Sequence, residues 1–322
     1  MTTLERPRTV GELKASGYQI LPVREEMRKN LIAKLRSGDE IFPGIYGYEE
    51  TVIPHIVNAI LAGQDIIFLG ERGQAKSRII RSLTSLLDDE TPVLAHCELA
   101  ENPFDPITRL GKDILAEKGD AAEIAWIGRD QRYGEKLATP DITIADLIGE
   151  VDPIKVAEGR YLSDELTIHY GLIPRTHRGI FCINELPDLA ERIQVGLLNI
   201  MEERDVQIRG YRIRLPVDVF VVASANPEDY TNRGRIITPL KDRVDSQILT
   251  HYPRSVDEAI SITDQEAWSA RGDAIELPRF VLEILEEIAF IARKSDYVDQ
   301  SSGVSQRLPI RARELLLSAI ER

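Results

Sequence analysis

Five short apolar runs punctuate the first 250 residues: Asp65–Leu69, Val93–Cys97, Gly179–Ile183, Val217–Ser224 and Ser246–Leu249. Each is too short for an ordinary helix and apolar on both alternations, the signature of strands buried on both faces. Helical patterns lie between several of them, over Lys76–Leu87 and Ala190–Glu203. Strands alternating with helices predict an α/β fold: a five-stranded parallel sheet sandwiched between helices. Upstream, the pattern predicts a charged amphipathic helix over Arg24–Arg36, a turn at Phe42-Pro43-Gly44 and a helix over Glu49–Ala62. Pro54 is tolerable there only in the first turn or two.

Two stretches break the rhythm. Residues 98–145 are long, polar and punctuated by proline, and read as a helix and loops facing a substrate or partner. Residues 204–216 alternate apolar and polar positions around Gly210, which predicts a β-hairpin ahead of the fourth strand. From about Asp257 the chain turns helical, with ELPRFVLEILEEIAFIARK and LPIRARELLLSAIER strongly amphipathic. The expected division is an N-terminal extension (1–40), an α/β nucleotide-binding core (41–254) and a small α-helical lid (255–322).

The first strand carries the most informative chemistry. It runs into Gly70-Glu71-Arg72-Gly73-Gln74-Ala75-Lys76-Ser77, and a helix opens at once with Arg78 in its first turn. Backbone N–H groups of such a loop, with the helix N-terminus, form a nest for phosphate oxygens. Lys76 is placed to reach the β and γ phosphates and Ser77 to ligate Mg²⁺. Ala75 stands where this P-loop pattern has glycine; one added methyl on a helical backbone is expected to be a mild departure.

A P-loop needs a second strand that ends in an acid. The run GIFCI ends in Asn184-Glu185, which puts Glu185 in reach of the water attacking the γ-phosphate. Asn184 takes the position of a metal-shell carboxylate but brings no negative charge, so slower turnover is expected. The fourth run delivers Asn226 to a strand's C-terminal end, where ligands bind in open parallel sheets. Arg243, before the last strand, has the placement of an arginine that reaches a neighbouring subunit's nucleotide; Arg233 and Arg235 compete for that role. Arg307 is expected to approach the γ-phosphate from the chain's own helical end.

Composition narrows the picture. A formal net charge of −13 disfavours contact with nucleic-acid backbone. No apolar run approaches the roughly 18 residues of a membrane span, and the first residues lack a signal peptide's apolar stretch, so the cytoplasm is the expected compartment. The two cysteines, Cys97 and Cys182, sit in apolar runs and read as core residues. Trp126 and Tyr133 read as a local packing cluster, and His169 and His177 have no metal-ligand partner at useful spacing.

Taken together, the ordered elements resemble the MoxR and magnesium-chelatase I-subunit branch of the AAA+ ATPases. The likeness runs from FPGIYGYEETVIPHIVNAILAGQDIIFLGERGQAKS to GVSQRLPIRARELL. The resemblance makes Lys76-Ser77 the end of Walker A, Asn184-Glu185 the end of Walker B and Asn226 sensor 1. It also makes Arg243 the finger, Arg307 sensor 2, and residues 159–189 the helix-2 insertion with the approach to Walker B. It implies ATP and Mg²⁺ as cofactors, a homo-hexameric ring, a protein client to be remodelled and a partner with a von Willebrand A domain. Tetrapyrrole binding has no sequence signal. Two other readings are a nucleotide-gated scaffold with little hydrolysis and a DNA-associated or transcription-regulating ATPase.

Overall fold

Every residue of Val219–Ala225 is buried, and so is every residue of Gly179–Asn184. Only a sheet covered on both faces permits that. The computed structural model describes residues 6–152, 154, 157, 165–208, 214–226, 235–269, 275–298 and 304–322.

Helices α1 (Val10–Ala15), α2 (Val23–Ser37) and α3 (Val52–Leu61) precede strand β1 (Ile66–Leu69) and α4 (Lys76–Ser82). Next come β2 (Glu90–Leu94), α5 (Arg109–Lys118), β3 (Ile124–Gly128) and β4 (Tyr133–Leu137). The elements α6 (Ile144–Leu147), β5 (Gly149–Val151), β6 (Ile168–Tyr170) and α7 (Leu172–Arg175) lead to β7 (Gly179–Asn184). After α8 (Glu191–Glu202) follow β8 (Asp205–Gln207), β9 (Arg214–Pro216), β10 (Val219–Ala225), α9 (Thr238–Lys241) and β11 (Ser246–Leu249). A helical C-terminal region closes the chain: α10 (Val256–Glu266), α11 (Arg279–Lys294) and α12 (Arg307–Glu321).

The main sheet has five strands in the order β11-β1-β10-β7-β4, every pair parallel. Alternate residues feed two cores. Ile67, Phe181, Ile183, Val221 and Ala223 face the side of α8 and the β8–β9 hairpin. Ile66, Phe68, Cys182, Phe220 and Val222 face α2, α3 and α4. Fully burying one such aromatic stabilises the fold by about 1.5–3 kcal/mol, so the two clusters fix the strand register.

One expected strand is corrected. The run Val93–Cys97 is not in the main sheet. Val93 and Leu94 belong to β2, which pairs antiparallel with β3 in a separate two-stranded unit. Its apolar side chains pack against Val10 and Leu13 of α1. The fifth sheet strand is β4, inside the stretch read as a polar excursion. Its residues YGEKL are polar because it is an edge strand, paired on one side to β7. Trp126 packs there edge-on against Tyr18, with ring centroids 5.6 Å apart.

Residues 1–40 bring more than one helix. Buried Val23, Met27 and Leu31 seat α2 on the second core, and its Glu26 pairs with buried Arg132 at 2.6 Å. The expected hairpin is present as β8 against β9; Gly210 lies outside the described residues. No helix among the described residues is long and apolar enough to cross a membrane.

Candidate nucleotide site

The chemistry-bearing strand ends come together at the carboxyl edge of the sheet. β1 and β10 pair with Leu69 opposite Ala225, so Gly70 and Asn226 leave the sheet side by side. β7 ends beside them at Asn184 and Glu185. The loop after β1 and the acid after β7, separated by more than a hundred residues in sequence, therefore face each other.

The loop is pinned from inside and outside. Gln74 Oε1 accepts from the Glu71 N–H at 3.1 Å and from the Thr250 hydroxyl at 2.7 Å. Tyr48 donates to the Gln74 carbonyl at 2.9 Å, and Tyr252 to the Arg72 carbonyl at 2.8 Å. Burial pushes the Tyr48 hydroxyl up in pKa, so it stays a donor. A Cβ on Gly70 would stand 1.9 Å from the Thr250 hydroxyl oxygen, which leaves no room for any side chain. Gly73 has φ +80° and packs its bare Cα against Ser305.

Ala75 corrects the expectation made for it. Its φ is +55°, left-handed rather than helical, and α4 starts only after it. For an L-residue with a Cβ this conformation costs about 1–2 kcal/mol. The usual glycine is thus a backbone requirement, and this chain meets it with strain. Glu185, φ +56°, is a second left-handed residue at the site. Strain of this kind persists where surrounding structure over-determines it.

Lys76 is buried, and its ammonium donates to the Gly70 carbonyl, to the Glu71 carbonyl at 2.8 Å and to Asn226 Oδ1 at 2.7 Å. Asn226 Nδ2 in turn donates to Glu185 Oε2 at 2.9 Å. A cation, an amide and a carboxylate thus stand in line across the ends of three adjacent strands, each amide atom matched to its partner. The Ser224 hydroxyl steadies the acid from behind, accepting from the Glu185 N–H and donating to Asn184 Oδ1, both at 3.2 Å.

The two ends of this line, Lys76 and Glu185, border a cavity of about 680 Å³. Arg72, Gly73, Gln74, Ala75, Lys76, Ser77 and Arg78 form one wall, with Glu185 and Arg307 also facing it. Arg78 pairs with Glu266 of α10, which ties the loop to the helical C-terminal region. Arg307 opens α12, whose start is fixed by a buried network: Gln306 donates to Glu286 at 2.9 Å and accepts from Arg293 at 2.9 Å. Burial raises the Glu286 pKa, opposed by the hydrogen bonds from Thr263 and Gln306.

Other expected residues lie elsewhere. Arg243 does not line the cavity; it pairs with Glu202 at 2.6 Å and donates to the Pro239 carbonyl. Arg235 is exposed beside Glu191, and Arg233 lies outside the described residues. Asn184 is buried and turned toward Glu135 of β4. Sequence reasoning missed the far wall of the cavity: Ile45–Tyr48, His251, Pro253, Gln265 and Glu266. Those residues come from segments about two hundred positions apart, and only tertiary folding joins them.

Residues 157–246 match the family described as Sigma-54 interaction domain. The chain is 26% identical over 231 residues to the magnesium-chelatase subunit ChlI of Nostoc sp., covering 70% of this chain and 58% of that protein. It is 26% identical over 237 residues to the magnesium-chelatase 38 kDa subunit of Cereibacter sphaeroides, covering 72% and 65%. The chain thus resembles the magnesium-chelatase I subunits of the AAA+ ATPases. Among solved structures, NtrX from Brucella abortus shares the AAA+ fold, with a TM-score of 0.50 at 14% identity over 90% of this chain and 54% of that one. The match spans less than two thirds of the length of the curated relatives. The cavity beside residues 70–77, next to a helix N-terminus, is the candidate nucleotide site.

Proposed function

We propose that this AAA+ protein binds ATP with Mg²⁺ at the 70–77 loop, hydrolyses it within a homo-hexameric ring and uses the cycle to remodel a protein client. The observation that carries the reading is the hydrogen-bonded line Lys76–Asn226–Glu185 beside the cavity. In this reading residues 41–254 form the core and 255–322 the lid.

The backbone N–H groups from Gly70 to Ser77, with Arg78, enclose the phosphates. Lys76 exchanges its carbonyl partners for β and γ oxygens, which add the attraction of opposite charges that neutral carbonyls lack. Asn226 orients the attacking water, and Glu185 takes its proton. Arg307 approaches from the lid, and Arg243 acts on the neighbouring subunit's nucleotide. Mg²⁺ suits the oxygen donors present, the Ser77 hydroxyl, the Asn184 amide and the Glu185 carboxylate, since that ion takes few protein carboxylates and relies on substrate phosphates. When bound, it neutralises charge developing on the phosphoryl oxygens. The same reading gives the ring a partner protein with a von Willebrand A domain.

Phosphate release measured against protein concentration, with sizing in a non-hydrolysable ATP analogue, tests the reading. Turnover that rises cooperatively as the ring forms supports it; ATP bound without phosphate release at any concentration refutes the motor. The uncharged Asn184 favours one second reading, a ring that holds ATP as a switch. Persistent occupancy with negligible release is its mark.

A further inference from the structure

The acid missing at position 184 has a substitute one strand away. Strand β4 runs parallel to β7 with Glu135 opposite Cys182 and Leu137 opposite Asn184. Cys182 and Asn184, two residues apart, point to the same face of the sheet, and that face is the one α4 covers. Glu135 reaches along it to Asn184, whose Nδ2 donates to Glu135 Oε1 at 2.5 Å. Arg81 of α4 meets the same carboxylate with two N–H groups, at 2.9 and 3.1 Å, and the Tyr133 hydroxyl donates at 3.0 Å. Arg81 follows Ser77 by four residues, one helical turn, and both line the cavity.

Resting on the nucleotide reading above, we propose that Glu135 is a positioning residue for the divalent cation, supplying across the β4–β7 pair the negative charge that Asn184 lacks. Asn184 and Glu135 form a matched set. An aspartate at 184 would set two carboxylates in hydrogen-bond contact, and like charges that close do not both ionise. The amide instead hands an N–H to the carboxylate. The bonds from Arg81, Tyr133 and Asn184 fix the carboxylate in orientation, as an outer-shell partner of a cation must be.

The test is Mn²⁺ binding, read by the electron paramagnetic resonance signal of free Mn²⁺, on full-length protein saturated with a non-hydrolysable ATP analogue. Glu135→Gln, which keeps shape and the Asn184 contact, is expected to weaken Mn²⁺ binding about tenfold. Analogue affinity in chelator stays unchanged or rises. Adding Asn184→Asp to Glu135→Gln returns a carboxylate to the strand end and restores Mn²⁺ affinity to within about twofold of wild type. A merely structural role for Glu135 predicts no such rescue. Wild-type Mn²⁺ affinity in Glu135→Gln, or a loss the double variant leaves in place, overturns the proposal. Should thermal melts find Glu135→Gln unfolded, the double variant alone decides by the same criterion. Wild-type protein that binds no analogue even in chelator refutes the nucleotide reading itself, a result distinct from either.

Discussion

The two edges of the main sheet both bury charge, and they use it in opposite ways. At the amino edge each charge is sealed to a partner. Arg132, the largest fully buried side chain, makes a two-pronged pair with Glu26, both bonds 2.6 Å. Asp65 is held by Arg24 and Arg204 and accepts from the Val221 N–H at 2.9 Å. Arg178 donates to the Pro92 carbonyl and the Thr91 hydroxyl, both at 2.7 Å. These contacts lash α2 and the β2–β3 unit to the sheet. At the carboxyl edge Lys76, Asn226 and Glu185 are also hydrogen-bonded, yet Lys76 and Glu185 line an open cavity. Sealed charge specifies structure, whereas charge beside a cavity is available to a ligand. Mutations at the two edges should therefore separate stability from binding.

The largest effect is expected at the amino edge. Glu26→Ala leaves Arg132 buried without its carboxylate and should cost about 3–5 kcal/mol in urea unfolding, with analogue affinity of the folded protein unchanged. Weakened binding at full stability would erase the distinction. Next, Lys76→Ala should lower ATP affinity by at least about a hundredfold, roughly 3 kcal/mol, while the unfolding midpoint moves far less.

His177, also at the amino edge, gives a pH signature. Burial, with help from Arg178, pushes it down to about 3, and its Nδ1 accepts from the Asp218 N–H at 3.0 Å. The unfolded chain takes up this proton first as pH falls. The contribution of His177 is thus complete above about pH 6.5 and is lost progressively toward pH 3, at about 1.4 kcal/mol by pH 5.5. His177→Asn, which keeps an acceptor, should flatten that part of the melting-temperature profile; an unchanged profile would count against it. The smallest effect belongs to the loop: Ala75→Gly should relieve left-handed strain and raise stability by about 1 kcal/mol, read from the urea midpoint.

How much of this was legible depends on how far apart the cooperating residues lie. The 70–77 loop was readable because its residues are contiguous and follow an apolar strand. β7 and β10, buried on both faces, announced themselves as apolar runs. β4 did not, because an edge strand carries polar residues such as Glu135 and Lys136 and has no period to read. Leu94 misled for the complementary reason: it is apolar for α1, not for the main sheet. The strain at Ala75 was hidden too, since a residue name does not reveal the sign of φ. The partnership of Asn184 with Glu135 required knowing which strand neighbours β7.

The central claim is that the 70–77 loop holds a triphosphate while Glu185 acts on its terminal group. ATP affinity and phosphate release, measured together on wild type and Glu185→Gln, test it most directly. The account predicts equal affinity, with release in the variant lower by about 10²–10⁴-fold, the usual worth of a general base. Wild-type protein with no saturable ATP binding, or a variant that releases phosphate at the wild-type rate, would contradict it.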